Sequence, residues 1–219
     1  MSGIPFPVVL AAPSGTGKTT LARRLVRDSQ GFCFSVSATT RFPREGEKDG
    51  TDYHFVDRET FEGMAADGRL AEWAEVHGEM YGTPRAELEE AAARGEHVVL
   101  DIDVQGARLI RSSVPEALLV FVLPPSVEAL VARLTGRGTE RGFQVVRRLR
   151  TALDELQAVN EFDHVVVNDD LERCLDEIQG IVRTETRRTQ RARALEEKVA
   201  DMRARIVRVL EEEFTNVGG

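Results

Sequence analysis

At 219 residues the chain is long enough to bury a full core, and the length suits one α/β domain with insertions or two small ones. Lys and Arg number 29 against 37 Asp and Glu, a formal charge of −8 that disfavours a general nucleic-acid or anionic-membrane surface and leaves any phosphate ligand to local basic clusters. The N-terminus, Met1-Ser2-Gly3-Ile4-Pro5-Phe6-Pro7, has no basic n-region, and no apolar run approaches bilayer-spanning length. Neither secretion nor membrane insertion is therefore expected. Cys33 and Cys174 form no metal-ligand pattern and read as buried thiols of a cytoplasmic protein.

The first element is the apolar run Val8-Val9-Leu10-Ala11, followed by Ala12-Pro13-Ser14-Gly15-Thr16-Gly17-Lys18-Thr19 and then by helical apolar spacing from Thr19 to Val26. Strand, glycine loop and helix in that order read as a phosphate-binding loop. Gly15 and Gly17 let the backbone curl until several N–H groups face one anion, and the positive end of the helix adds to the field. Lys18 is expected to reach the β- and γ-phosphates of a nucleoside triphosphate, and the Thr19 hydroxyl to ligate Mg²⁺. Ala12 stands where the usual first glycine would be, so the turn there must avoid positive φ. The bland alternative is a glycine turn with a chance Gly-Lys-Thr.

From Ser35 to Val76 the pattern changes to short alternating segments rich in Gly, Arg and Glu, which reads as an inserted substrate-binding subdomain. Continuous apolar runs return at His97–Asp103, Ala117–Leu123 and His164–Asn168, and suit a parallel sheet covered on both faces. Helical patterns separate them at Pro84–Arg94, Ser126–Leu134, Phe143–Asn160 and Leu171–Arg183. Thr83 before Pro84, and Ser126 after Pro124-Pro125, give helix starts. The alternation implies a doubly wound α/β core. Glycines at three of the eight positions from Thr135 to Gly142 suit a mobile lid. In the last helix Leu195, Val199, Met202, Ile206 and Val209 draw a short apolar stripe, read either as packing on the protein's own core or as self-association. The Arg-rich stretch from Arg183 to Arg193 reads as a solvated face.

Several residues invite a chemical reading beside a structural one. Arg41 and Arg44 flank Pro43 and can present two guanidinium forks to one phosphate, or be two solvated arginines. Tyr53 and Tyr81, the only tyrosines, are phosphate donors without charge or core fillers. Glu72, taken by itself, reads as an edge-strand surface carboxylate beside Trp73. Asp101 ends a buried strand, where a carboxylate can hold a Mg²⁺ hydration shell or simply cap a loop. Asn168 is a nucleotide contact or a turn residue.

The segments Ser37-Ala38-Thr39-Thr40-Arg41-Phe42-Pro43-Arg44, Asp52-Tyr53-His54-Phe55, Glu72-Trp73-Ala74, Tyr81-Gly82-Thr83, Leu100-Asp101-Ile102-Asp103-Val104-Gln105-Gly106 and Arg137-Gly138-Thr139-Glu140 closely resemble the guanylate kinases, in order from about Val8 to Asp170. The resemblance implies an α/β fold of the three-layer P-loop NTPase kind, with a parallel central sheet, an inserted mixed α+β GMP-binding subdomain and a helical lid. The divisions it suggests are core 1–34, GMP-binding subdomain 35–96, core 97–133, lid 134–156, and core with C-terminal helix 157–219. ATP would be held by Ala12, Pro13, Ser14, Gly15, Thr16, Gly17, Lys18, Thr19, Thr20 and, near adenine, Asn168. GMP would be held by Ser37, Arg41, Arg44, Tyr53, Glu72, Tyr81, Thr83 and Asp103. Lys18, Arg41, Asp101, Arg133, Arg137 and Arg148 would serve the transfer, with Mg²⁺ held by Thr19 and Asp101, partly through water.

The implied reaction is transfer of the γ-phosphoryl group of ATP to GMP, or dGMP, giving ADP and GDP. After Glu140 the residues Arg141-Gly142-Phe143-Gln144 depart from the acidic pattern of many relatives, which bears on how the lid helix starts. Two rival readings are a ribose 1,5-bisphosphate kinase and a non-catalytic guanylate-kinase-like binding module. The intact Lys18 and Thr19 argue against the module, and the set Ser37, Arg41, Arg44, Tyr53, Glu72 and Tyr81 argues for a nucleotide acceptor.

Overall fold

The structure, a computed structural model, describes residues 4–76, 78–135, 142–188 and 193–213. The chain divides into one compact unit, Pro5–Ile178, and a second that joins the residues up to Ile4 with those from Gln179 onward. Strand β1 (Val8–Ala11) leads into helix α1 (Lys18–Asp28), then β2 (Phe32–Phe34), β3 (Ala38–Thr39), β4 (His54–Phe55) and helix α2 (Arg58–Ala66). The antiparallel pair β5 (Leu70–Val76) and β6 (Glu79–Pro84) follows, then α3 (Arg85–Arg94), β7 (His97–Asp101), α4 (Val104–Ser113) and β8 (Leu118–Leu123). Helices α5 (Val127–Thr135) and α6 (Gly142–Gln157), a 3-10 turn at Ala158–Glu161, β9 (His164–Val167), α7 (Leu171–Glu185) and α8 (Arg193–Glu213) complete the order.

Five strands form one sheet in the order β2-β7-β1-β8-β9, every pairing parallel. Successive side chains in a strand point to opposite faces, so Val9, Ala11, Val98, Leu100 and Leu119 share a face with Ala91 of α3 and with Ala107 and Ile110 of α4. Val8, Leu10 and Val99 alternate with them and are also fully buried, which requires cover on the second face; α1 packs on β1, β2 and β7. Both faces are thus dry, as continuous apolar strands demand. The three-layer α/β architecture is the one expected from the sequence.

The second sheet, β4-β3-β6-β5, is mixed: β3 and β4 run parallel, while β3–β6 and β5–β6 are antiparallel. Its own small core, Ala38, Phe61, Leu70 and Met80, packs against α2. Between Leu70 and Glu72 the register with β6 shifts by one residue, a β-bulge at Ala71. In a regular strand Leu70 and Glu72 would point the same way. The bulge reverses the phase, leaving Leu70 among the α2-side residues and turning Glu72, Ala74 and Val76 to the other face.

Some local expectations are corrected. Thr83 does not start a helix: it lies in β6, and Pro84, the last residue of that strand, is the N-cap of α3. The Thr83 hydroxyl is given to Glu72 instead of to the helix backbone. Ser126 does act as expected, its Oγ accepting Ala129 N–H. Cys174 is buried but Cys33 is only half-buried, and both are free thiols. On α8, Val199, Met202 and Ile206 are 45%, 52% and 56% exposed; the side chains of Leu195 and Val209 lie outside the described residues. Among the described residues no helix is long and apolar enough to cross a membrane.

Leu10→Ala, at a position with no exposure in the central strand, is expected to cost about 2–5 kcal/mol because the covering helix cannot collapse into the space. Urea denaturation of the two proteins measures it, and a cost below about 1 kcal/mol would contradict a packed second face.

Candidate active site

The loop between β1 and α1 is built by local chemistry. Gly15 and Gly17 have φ of +90° and +92°, left-handed values that side-chain-bearing residues rarely adopt, and Gly17 is the N-cap of α1. A Cβ on Gly15 would meet Leu134 of α5 at 2.7 Å, and one on Gly17 would meet the Asn168 amide at 3.1 Å. Thr16 closes the turn, its N–H and Oγ1–H both donating to Pro13 O at 3.1 and 2.7 Å. Ala12 is buried, its methyl accommodated where the chain leaves the sheet.

This loop walls a cavity of about 770 Å³, which is also lined by Tyr53, Asp101, Asp103, Arg133, Arg148 and Glu155. Lys18 Nζ lies 2.7 Å from Asp101 Oδ1 and also donates to Ile102 O, so the carboxyl edge of β7 holds the lysine across the loop. Arg133 from α5 donates to Thr16 O at 2.7 Å and Asn168 O at 3.3 Å, and the Asn168 amide donates to Thr16 O at 2.8 Å. The Asn168 side chain, buried at 7% exposure, therefore supports the loop's backbone. Arg148 from α6 donates through Nε and Nη2 to Ser14 Oγ at 3.2 and 2.9 Å, and the Ser14 N–H donates to Glu155 Oε2 at 3.2 Å. Arg148 and Glu155, two helical turns apart on one face of α6, thus hold one loop residue between them. Glu155 was not singled out from the sequence, where one carboxylate in a charged helix gives no signal. Burial raises its pKa.

A second cavity, about 190 Å³, adjoins the first and shares Tyr53, Asp101 and Asp103 with it. Ser37, Glu72, Ala74, Val76, Tyr81 and Gly106 line its remaining wall. Asp103 is the N-cap of α4, its Oδ1 accepting Gly106 N–H at 2.8 Å. Gly82 is required between Tyr81 and Thr83, since a Cβ there would sit 2.9 Å from Glu72 O and 3.0 Å from Trp73 Cβ. The tyrosine rings of Tyr53 and Tyr81 meet edge-on with centroids 6.0 Å apart.

Glu72 is not the surface carboxylate its edge strand allowed: it is 7% exposed, whereas Trp73 beside it is 45% exposed. Thr83, fully buried and paired with Glu72 across the strands, donates its hydroxyl to Glu72 Oε1 at 2.8 Å and does not itself line the cavity. Burial is the main reason the Glu72 pKa is pushed up to about 7, with the Asp103 charge adding to it and the Thr83 hydrogen bond opposing it.

Neither Arg41 nor Arg44 is among the residues lining this cavity. The Arg41 guanidinium lies over the Tyr53 ring, 5.3 Å from its centroid, and pairs with Glu47; Arg44 is exposed. Arg137, with Gly138 to Arg141, lies outside the described residues, as do the side chains of Gly142 to Gln144. Thr19 and Asp101 both line the larger cavity, a hydroxyl and a carboxylate that are hard oxygen donors suited to Mg²⁺. Among the described residues no cage of three metal-ligating side chains forms. A Mg²⁺ held here would take most of its ligands from phosphates and water.

A phosphate loop on a parallel sheet, with a second mixed sheet carrying a buried polar pocket beside it, defines a P-loop kinase. A family model described as guanylate kinase matches residues 5–185. The chain belongs to the guanylate kinase family. It is 50% identical over 177 residues to a guanylate kinase of Rhodococcus jostii (80% of this chain, 86% of that protein) and 49% identical over 178 residues to one of Corynebacterium jeikeium (80% and 95%). A solved guanylate kinase from Anaplasma phagocytophilum superposes with a TM-score of 0.72 at 34% identity, covering 98% of this chain and 97% of that one.

The raised Glu72 pKa carries a stability consequence. With the folded value above the unfolded one, the group's contribution is fully present below about pH 4.5 and is lost as pH rises through about 7. Glu72→Gln keeps the shape without the charge. It is expected to raise the melting temperature of the ligand-free protein at pH 8, by on the order of 2–3 kcal/mol in stability, and to leave it unchanged near pH 4.5. An equal effect at both pH values would contradict the assignment.

Proposed function

We propose that this chain transfers the γ-phosphoryl group of ATP directly to the phosphate of GMP, or dGMP, giving ADP and GDP. The observation that carries the reading is the pair of adjoining cavities, one walled by the phosphate loop and the other by Glu72, with Tyr53, Asp101 and Asp103 common to both. Two phosphorylated ligands placed one in each would meet at the shared wall.

In this reading the loop N–H groups and Lys18 hold the ATP phosphates, with Ala12 to Thr20 as their cradle. Glu72 accepts from guanine N1–H and N2–H, with Thr83 fixing its carboxylate and Ser37 and Asp103 on the nucleoside. Adenine offers N1 as an acceptor and lacks the N2 amine, so the same carboxylate repels it. Tyr53, Tyr81, Arg41 and Arg44 take the acceptor phosphate. Its second pKa of about 6 makes it mostly dianionic at neutral pH, so no strong general base is needed. Catalysis then consists of alignment and charge neutralisation by Lys18, Arg133, Arg148 and, from the lid, Arg137. Thr19 and, through water, Asp101 would hold a Mg²⁺, which would supply further positive charge to the phosphate oxygens. Exclusion of water by the lid prevents hydrolysis of ATP. A ribose 1,5-bisphosphate acceptor has hydroxyls but no planar pair of N–H donors to match both oxygens of the buried Glu72, which disfavours that rival.

Formation of ADP from ATP and Mg²⁺ is to be measured with GMP, dGMP, AMP, CMP, UMP and ribose 1,5-bisphosphate in turn. Turnover is expected with GMP and dGMP, and kcat/KM for AMP should lie lower by about 10⁴. Glu72→Gln should lower kcat/KM for GMP by about 10²–10³, because the unmatched guanine donors are buried. Comparable turnover of AMP, or of the bisphosphate, would sink the reading.

A further inference from the structure

The Thr16 carbonyl receives two donors, Arg133 Nη1 at 2.7 Å and Asn168 Nδ2 at 2.8 Å, which fills both of its lone pairs. Arg133 Nη2 also donates to Asn168 O at 3.3 Å, and the Asn168 N–H donates to Leu123 O at 2.8 Å. Asn168 is thus tied through its backbone to the end of β8 and through its amide to the loop. The amide also lies against the next loop residue, since a Cβ on Gly17 would meet Nδ2 at 3.1 Å. Asn168 is 7% exposed and is not among the residues lining the larger cavity, whereas Thr16 and Gly17 both are.

These contacts converge on one peptide. The Thr16 carbonyl and the Gly17 N–H belong to the same planar trans unit, in which C=O and N–H point in opposite directions. Donors that hold the carbonyl on one side therefore set the direction of the N–H on the other. The Thr16 N–H is used within the loop, on Pro13 O, but among the described residues no protein group accepts the Gly17 N–H. A guanidinium and an amide on the carbonyl oxygen also polarise the peptide, which strengthens its N–H as a donor to an anion. Of the two, Asn168 is the stiffer, with a short side chain on a backbone held at both its N–H and its C=O. An asparagine that reads a base must turn its amide to the ligand; here the amide nitrogen is committed to the loop.

We propose that Asn168 is a positioning residue for the donor's phosphates: its amide fixes and polarises the Thr16–Gly17 peptide, so that the Gly17 N–H meets a phosphate already aimed. The proposal rests on the reading that this loop takes ATP. It gives Asn168 no contact with the ligand and no part in choosing the base. Such outer contacts matter because a donor locked before binding loses little freedom on binding.

The test compares equilibrium binding of ATP, GTP, inorganic tripolyphosphate and GMP, each with Mg²⁺, to the wild type and to Asn168→Ala. Tripolyphosphate offers the anion without base or sugar. Tripolyphosphate and ATP are expected to weaken by the same factor, about tenfold, while the ratio of ATP to GTP affinity and the affinity for GMP stay within about twofold. The Gly17 amide proton, followed by NMR, should shift less on addition of tripolyphosphate to the variant than to the wild type, because a less polarised N–H makes a weaker hydrogen bond. A loss confined to ATP, with tripolyphosphate unchanged, would make Asn168 a base contact and overturn the proposal. Unchanged binding of all four ligands, or equal weakening that includes GMP, would also overturn it: the first outcome marks a bystander, the second a merely structural residue. Asn168→Asp, which keeps the size but sets an acceptor against the Thr16 carbonyl, serves if the alanine variant does not fold. It is expected to weaken tripolyphosphate and ATP at least as much, with the same ratio of ATP to GTP affinity. Wild type that binds neither ATP nor tripolyphosphate would instead remove the parent reading, and this proposal with it.

Discussion

Two phosphorylated ligands repel each other, and a protein with a formal charge of −8 must bring them together without adding to that repulsion. The Lys18–Asp101 ion pair is the point on which this depends. At 2.7 Å, with the two side chains 17% and 12% exposed, it holds the loop's only lysine against the carboxyl edge of the central sheet while no phosphate is present. Arg133 meanwhile is held by the carbonyls of Thr16 and Asn168. The site thus carries its cations in place before ligands arrive, so little reorganisation is left for the moment of transfer.

The smaller cavity, proposed above to take the acceptor, follows a different rule. It holds a carboxylate where a carboxylate is unstable, with burial lifting Glu72 to about 7. In the proposed reading that cost to the empty fold would make the group selective, since only a partner with two donors would restore what burial removed. Thr83 and the bulge at Ala71 hold Glu72 in the pocket. Function here costs stability, as is usual where a polar group is buried to meet a ligand.

The phosphate loop and the core strands were legible because their signals are local: glycines where φ must be positive, and unbroken apolar runs where both faces of a strand are covered. The orientation of Glu72 was not legible. Period-two reading puts Leu70 and Glu72 on one face, and only the extra residue at Ala71 separates them, a feature with no signature in the sequence Leu70-Ala71-Glu72. Glu155 was missed for a related reason, since in a chain rich in acidic residues a carboxylate that orients a loop looks like any solvated one. Thr83 and Pro84 carried a strong helix-start pattern that lost to strand pairing, because the hydroxyl gains more from a buried carboxylate than from an exposed helix end.

The central claim is that the two cavities form one continuous site for a donor and an acceptor. The most direct test is the affinity of a single molecule in which adenosine and guanosine are joined through a chain of phosphates, set against ATP and GMP measured separately by calorimetry. One ligand engaging both cavities should bind more tightly than either nucleotide by about a hundredfold or more, and that gain should vanish in Lys18→Met and in Glu72→Gln alike. Binding no tighter than GMP alone would mean that the cavities do not act together, and would contradict the account.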